Sequence, residues 1–219
     1  MLSITPLSYA KASPTVFMKA TISAALRAVP GRLRQMPVYL CIDDTMVEKA
    51  GKRFEHVSKL FDHAAHNGTN YLNGHCFVSI MLCVPVWDGK KVSYPGVPLN
   101  YQMWDKSMTK LQMACAMIQD AMESLSGLSR VIILCDSWYA KADVFALTQS
   151  FDNLDLICNV RKDTALYDLP PVPSGKRGRP RKKGAKLDVE KDFTFTVKKL
   201  DGWHVGHRTV LTNLLNGSR

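Results

Sequence analysis

The sequence predicts an α/β protein, a mixed sheet with the element order β-β-β-α-β-α-β flanked by helices. Three observations predict it. Two apolar runs, 38–42 and 130–135, read as strands, and each delivers an aspartate as it ends: Asp43-Asp44-Thr45 after the first, Asp136-Ser137-Trp138-Tyr139 after the second. Between them lies an amphipathic stretch, 105–125, long enough to cross over the sheet. A right-handed crossover through that helix places the later strand parallel to the first and beside it. Sites in open α/β sheets gather at the carboxyl ends of such strands, so Asp43 and Asp136 are expected to meet.

Each element has a local cause. Ser13-Pro14 carries the N-cap and first-turn signature of a helix running to Val29, which Pro30-Gly31 ends. The strand 38–42 is apolar almost throughout, as a strand buried on both faces is. From Thr45 to Asn73 the chain is polar and mixed, with Asn67-Gly68 a turn. A β-rich run follows at 76–84, then a hairpin turn at Trp87-Asp88-Gly89-Lys90. The segment 91–99 returns as an edge strand whose pairing Pro95 and Pro98 limit. In the helix 105–125, Met108, Leu111, Cys115, Ile118, Met122 and Leu125 fall at steps of three or four and form one core-facing stripe. Gly127 ends it. The strand 130–135, a helix 141–150 and a strand 154–160 complete the order.

A chain of 219 residues with 46% hydrophobic residues can bury a sizeable core. No apolar run approaches the roughly 18 residues of a membrane span, and the N-terminus lacks a signal-peptide pattern. The expected setting is the cytoplasm. The six cysteines show no CxxC pair and lie mostly in apolar runs, as reduced, buried thiols do. The net charge of +10 is uneven: 174–199 holds ten Lys/Arg against three Asp/Glu, the rest nineteen against sixteen. A basic segment beside a nearly neutral body suits a polyanion. Two carboxylates at one sheet edge suit Mg²⁺, a hard cation that needs only one or two of them plus substrate phosphate. Together these features point to phosphoryl transfer on nucleic acid.

The element order, with acids on the first and fourth strands, resembles the ribonuclease-H-like fold of the DDE transposases. Asp43-Asp44-Thr45 resembles the D-x-T of the first catalytic strand in the IS4-like insertion-sequence group. Asp136-Ser137-Trp138-Tyr139 with Asp143-Val144-Phe145-Ala146-Leu147 resembles their second motif, and Tyr71-Leu72-Asn73-Gly74-His75 the Gly-His step that opens the second strand. The run from Lys176 to Gly184 resembles their basic Gly-Arg-Pro linker. The resemblance covers roughly 37–199. It implies a helical N-terminal segment (1–36), a DDE catalytic core (37–170), a basic linker (171–191) and a partial β insertion or irregular tail (192–219).

The resemblance also implies roles. Asp43 and Asp136 are the expected catalytic residues and ligands of Mg²⁺ or Mn²⁺, two ions in the complete site. Neighbouring side chains on a strand point to opposite faces; the D-x-T alignment selects Asp43 and leaves Asp44 to support a turn. Thr45, His75 and Trp138 are expected supporting residues. Lys176, Arg177, Arg179, Arg181, Lys182 and Lys183 are expected to contact DNA, as phosphate contacts or as an AT-hook in a narrow minor groove; a solvated loop is the plain alternative. The partners implied are element-end and target DNA, with a homodimer one arrangement of the complex, and no membrane. The family's third acid lies on a downstream helix, whereas the only glutamate after Lys183 is Glu190, in a polar stretch before 193–197. The chain therefore reads as a shortened transposase. A non-catalytic DNA-binding remnant and another ribonuclease-H-like nuclease are the rival readings. His63-x-x-His66 and His204-x-x-His207 lack the further ligands of a zinc site.

Overall fold

A computed structural model describes residues 13–51, 53–61, 70–161, 163–173, 178–189, 191–193, 198–200, 203–205 and 208–212. The expected Asn67-Gly68 turn, Lys176, Arg177, Glu190, His63, His66, His207 and most of the expected strand 193–197 lie outside them. Two compact units divide the chain, Met1–Asn159 and Val160–Arg219.

The first unit is built on a mixed sheet. Its strands are β1 (Val38–Glu48), β2 (Ser58–Phe61), β3 (Tyr71–Cys83), β6 (Gly96–Met103), β7 (Val131–Cys135) and β8 (Leu154–Cys158), with the short hairpin β4 (Val86–Trp87) and β5 (Val92–Ser93) apart from it. The order is β2-β3-β1-β7-β8, with β6 also paired to β3. β1 is antiparallel to β3 and parallel to β7, and β7 is parallel to β8. This is the ribonuclease-H-like arrangement expected of the sequence, with the predicted first and fourth strands adjacent and parallel.

β1 is longer than the sequence suggests and is not buried on both faces. Val38, Leu40 and Ile42 are buried while Tyr39 and Cys41 are half-buried. The strand continues through both aspartates because β3 offers a partner as far as Glu48↔Gly74. β3 is also longer than 76–84, starting at Tyr71. Gly74 shows why its position tolerates no side chain: a Cβ there would lie 2.2 Å from the Val47 carbonyl oxygen. The returning edge strand is shifted to Gly96–Met103, and the register slips between Ile80 and Met81, opposite Pro98 and Asn100. A proline without an N–H is accommodated at such an irregularity on an edge.

Three helices cover the face of Val38, Leu40 and Ile42. α1 (Pro14–Ala28) has Ser13 as N-cap. α2 (Lys110–Leu125) starts five residues later than 105. Thr109 and Gln112 form a capping box there, and Asp105 instead closes a turn with Ser107. α3 (Ala142–Ser150) follows β7. Of the expected stripe, Ile118, Met122 and Leu125 are fully buried and Leu111 and Cys115 partly so, while Met108 precedes the helix and is exposed. Met113, Ala114, Met117 and Ala121 widen the buried face. These side chains join Met18, Ile22, Val78, Ile80, Leu82, Val131 and Ile133 in one core. All six cysteines are free thiols. No helix among the described residues is long and apolar enough to cross a membrane.

In the second unit, β9 (Leu166–Tyr167), β10 (Lys186–Leu187) and β13 (Leu211–Thr212) form a small sheet in the order β10-β9-β13. β11 (Lys198–Leu200) and β12 (Trp203–Val205) form a hairpin.

Candidate active site

The site is set by a register. β1 and β7 pair from Val38↔Val131 to Ile42↔Cys135, and the residues that follow this last pair are Asp43 and Asp136. Strands in a sheet lie about 4.7–4.9 Å apart, so the two aspartates follow directly on neighbouring backbones. β7 ends at this point while β1 runs on, so the sheet opens where the acids are.

Both aspartates are exposed. Asp43 Oδ1 accepts the Asp44 amide at 2.8 Å. Asp136 Oδ1 accepts the amides of Trp138 and Tyr139 at 2.9 and 3.3 Å, closing the turn after β7. Asp136 does not cap α3, whose N-cap is Lys141. Each carboxylate keeps its Oδ2 without a hydrogen-bond partner among the described residues. Two hard oxygen donors side by side fit a Mg²⁺-like ion that takes its other ligands from water and phosphate. Among the described residues no group of three His, Cys, Asp or Glu is placed to hold a metal.

Asp44 corrects an expectation. It supports no turn; it sits within β1 opposite Val78, on the helix-covered face. Its Oδ2 is 2.7 Å from Lys110 Nζ, with both side chains only 13% exposed, and accepts the Cys76 thiol at 3.3 Å. Its Oδ1 accepts the Tyr139 hydroxyl at 3.2 Å. Lys110 also lies 4.4 Å from the Trp138 ring centroid, a cation–π contact. Tyr139 is 1% exposed. Burial, then the Asp44 charge, pushes its phenol far above the ordinary range, so it remains a donor. Burial likewise pushes the Cys76 thiol up to about 12, the Lys110 charge opposing and Asp44 adding.

Of the supporting residues, Thr45 is exposed in β1 and pairs with Phe77, on the same face as Asp43. His75 Nε2 lies 2.8 Å from the Glu55 carbonyl oxygen, and its ring packs edge-on against Phe77. Trp138 is 42% exposed beside Asp136, between Lys110 and Tyr139. In the second unit Arg179, Arg181 and Lys182 are exposed, and Lys183 Nζ stands 4.7 Å from the Tyr167 ring centroid.

Sequence reasoning missed Lys110 and misplaced Asp44. A signal was present: Lys110 opens a helix whose first turn holds no acid, where a cation opposes the helix dipole. An unfavourable charge at that position asks for a partner elsewhere in the fold.

The strand order and the covering helices define a ribonuclease-H-like α/β domain, and the sequence comparison names its family. Residues 12–201 match the model of the DDE superfamily endonucleases. The chain belongs to that family. No curated protein sequence matches it. Among solved structures, a chain of the Mos1 strand transfer complex is similar at 12% identity with a TM-score of 0.28, over 74% of this chain. The match spans 47% of that structure's chain, and the likeness is too slight to bear on function.

Proposed function

We propose that this endonuclease-family chain is the catalytic part of a transposase of a bacterial insertion sequence, of the IS4-like group. Asp43 and Asp136 would hold Mg²⁺ or Mn²⁺. The observation that supports the reading is the β1–β7 register, which ends at Ile42↔Cys135, one residue before Asp43 and Asp136, each with a carboxylate oxygen that has no hydrogen-bond partner among the described residues. A divalent ion held there would supply activation of an attacking oxygen and stabilisation of a leaving one in phosphodiester displacement. The chain's own residues do the rest. The Trp138 and Tyr139 amides fix the Asp136 carboxylate, and the exposed Trp138 ring offers a nucleotide an aromatic wall. Arg179, Arg181 and Lys182, with Lys176, Arg177 and Lys183, would hold the phosphate backbone. Element ends and target DNA are the substrates on this reading.

The test is metal binding followed by cleavage. Mn²⁺ titration by electron paramagnetic resonance should show an ion that Asp43→Asn and Asp136→Asn each remove. Mn²⁺ binding that survives both substitutions, or its absence in the unaltered chain, refutes the assignment. Strand cleavage of element-end DNA by the same preparations then separates a competent endonuclease from a remnant that binds DNA and metal without cutting.

A further inference from the structure

We infer that Asp44, Lys110 and Tyr139 form a strut that positions the Asp136 carboxylate against Asp43, itself touching neither metal nor DNA. The inference rests on the metal reading above and adds how the two ligands are kept in place.

The path is short. Asp44 is one peptide unit from Asp43. Its Oδ1 takes the Tyr139 hydroxyl at 3.2 Å, and the Tyr139 amide donates to Asp136 Oδ1 at 3.3 Å. A buried tyrosine thus joins the two carboxylate-bearing segments around the end of the sheet, its ring on one side and its amide at the site. Lys110 locks the arrangement from α2, ion-paired to Asp44 Oδ2 and stacked on Trp138, whose amide is the other donor to Asp136. The turn after β7 is therefore held from the strand on one side and from the helix on the other. A turn held only at its ends would leave the Asp136 carboxylate free to swing.

The same contacts settle how the Asp43-Asp44 doublet divides its work. Both Asp44 oxygens are engaged, one by a hydroxyl and one by an ammonium and a thiol, in a side chain 13% exposed. A cation there would have to expel Lys110. Asp43 is exposed, and its Oδ2 has no hydrogen-bond partner among the described residues. Asp43 is the ligand of the pair and Asp44 its positioning partner.

The test is a Mn²⁺ titration of the full chain by electron paramagnetic resonance, on the unaltered protein and on Tyr139→Phe, Asp44→Asn and Asp43→Asn. Circular dichroism melts report folding, and duplex affinity without divalent ions serves as a readout independent of the metal. Tyr139→Phe keeps the ring volume and removes only the hydroxyl. Residues that orient metal ligands typically alter affinity about 10–100-fold, so Tyr139→Phe is expected to raise the Mn²⁺ dissociation constant by about tenfold or more. Asp44→Asn should do the same, the pair together no worse than either alone, and duplex affinity should stay unchanged. Asp43→Asn should remove the ion. Normal Mn²⁺ binding by Tyr139→Phe, with loss in Asp43→Asn, overturns the strut and leaves the metal site standing. Loss of the ion in Asp44→Asn with none in Tyr139→Phe overturns it in favour of Asp44 as ligand. No ion on the unaltered chain takes down the metal reading and the strut together.

Discussion

Replacing Lys110 by methionine tests how much the fold depends on the buried ion pair behind the site. At 2.7 Å the Coulomb attraction between Lys110 Nζ and Asp44 Oδ2 is gross, roughly 6 kcal/mol at an effective dielectric of about 20. Much of it offsets the desolvation of the two charges. Breaking a buried pair from one side nevertheless costs about 3–5 kcal/mol, because the remaining charge is stranded. With 13% exposure on each side chain, some water reaches Asp44, and the Tyr139 hydroxyl and Cys76 thiol still donate to it. These place the electrostatic cost near the lower end, about 3 kcal/mol. Removing the cation–π interaction with Trp138 adds about 0.5–1 kcal/mol. For a domain of this size 1 kcal/mol moves the melting temperature by about 2–4 °C, so Lys110→Met should lower it by roughly 7–16 °C. The double variant Lys110→Met/Asp44→Asn no longer strands a charge and should recover about 2 kcal/mol of the loss. The measurement is a double-mutant cycle by urea denaturation with calorimetry. A single-variant loss under about 1 kcal/mol, the range of exposed pairs, or a cycle without coupling, would refute the reasoning.

Replacing Arg177, Arg179, Arg181, Lys182 and Lys183 together should weaken duplex binding and flatten its dependence on log[salt] by up to about 4.5, at about 0.9 for each duplex phosphate no longer neutralised; an unchanged slope in fluorescence anisotropy would make the segment a solvated loop. Gly74→Ala should destabilise the protein by about 1–3 kcal/mol, as overpacking does, since the new methyl meets the Val47 carbonyl, and equal chemical-denaturation midpoints would contradict that clash. Burial holds the Cys76 and Cys135 thiols neutral up to about pH 12, against an ordinary value of 9.0. The unfolded chain then ionises first, so these thiols' contribution to stability is full below pH 9 and is lost as pH rises towards 12. Replacing Cys76 with alanine should flatten the fall in unfolding free energy across that window.

Much of what was legible in the sequence has a short-range cause. Ser13-Pro14 sets the start of α1, and the turn at Asp88-Gly89 lies between β4 and β5, where Asp88 Oδ1 accepts the Lys90 and Lys91 amides. The parallel neighbours β1 and β7 follow from one crossover helix and chain handedness. The length of β1 was not legible, because Asp43-Asp44-Thr45 reads as a strand-breaking cluster until β3 supplies a partner for each residue. The start of α2 was hidden by two competing local signals. Asp105 and Thr109 are both good caps, and Thr109 succeeds because Gln112 returns the hydrogen bond. Asp44 was misread because its partners come from α2, β3 and the turn after β7, three segments that only the folded chain assembles.

The lysine that opens α2 has a consequence for how the protein folds. With no acid in its first turn and a cation at its first position, α2 begins against its own dipole, a penalty of about 0.3–1 kcal/mol in isolation. The compensating negative charge belongs to a residue 66 positions earlier in the chain. A peptide of residues 105–125 should therefore fray at its start while its apolar middle winds, and the first turn should close only when β1 has docked. In hydrogen exchange the amides of Gln112 to Ala114 would then be protected together with those of β1, rather than with the rest of their own helix. The beginning of the crossover helix is in this sense an organ of the sheet, and the order in which the two assemble decides when the candidate site takes shape.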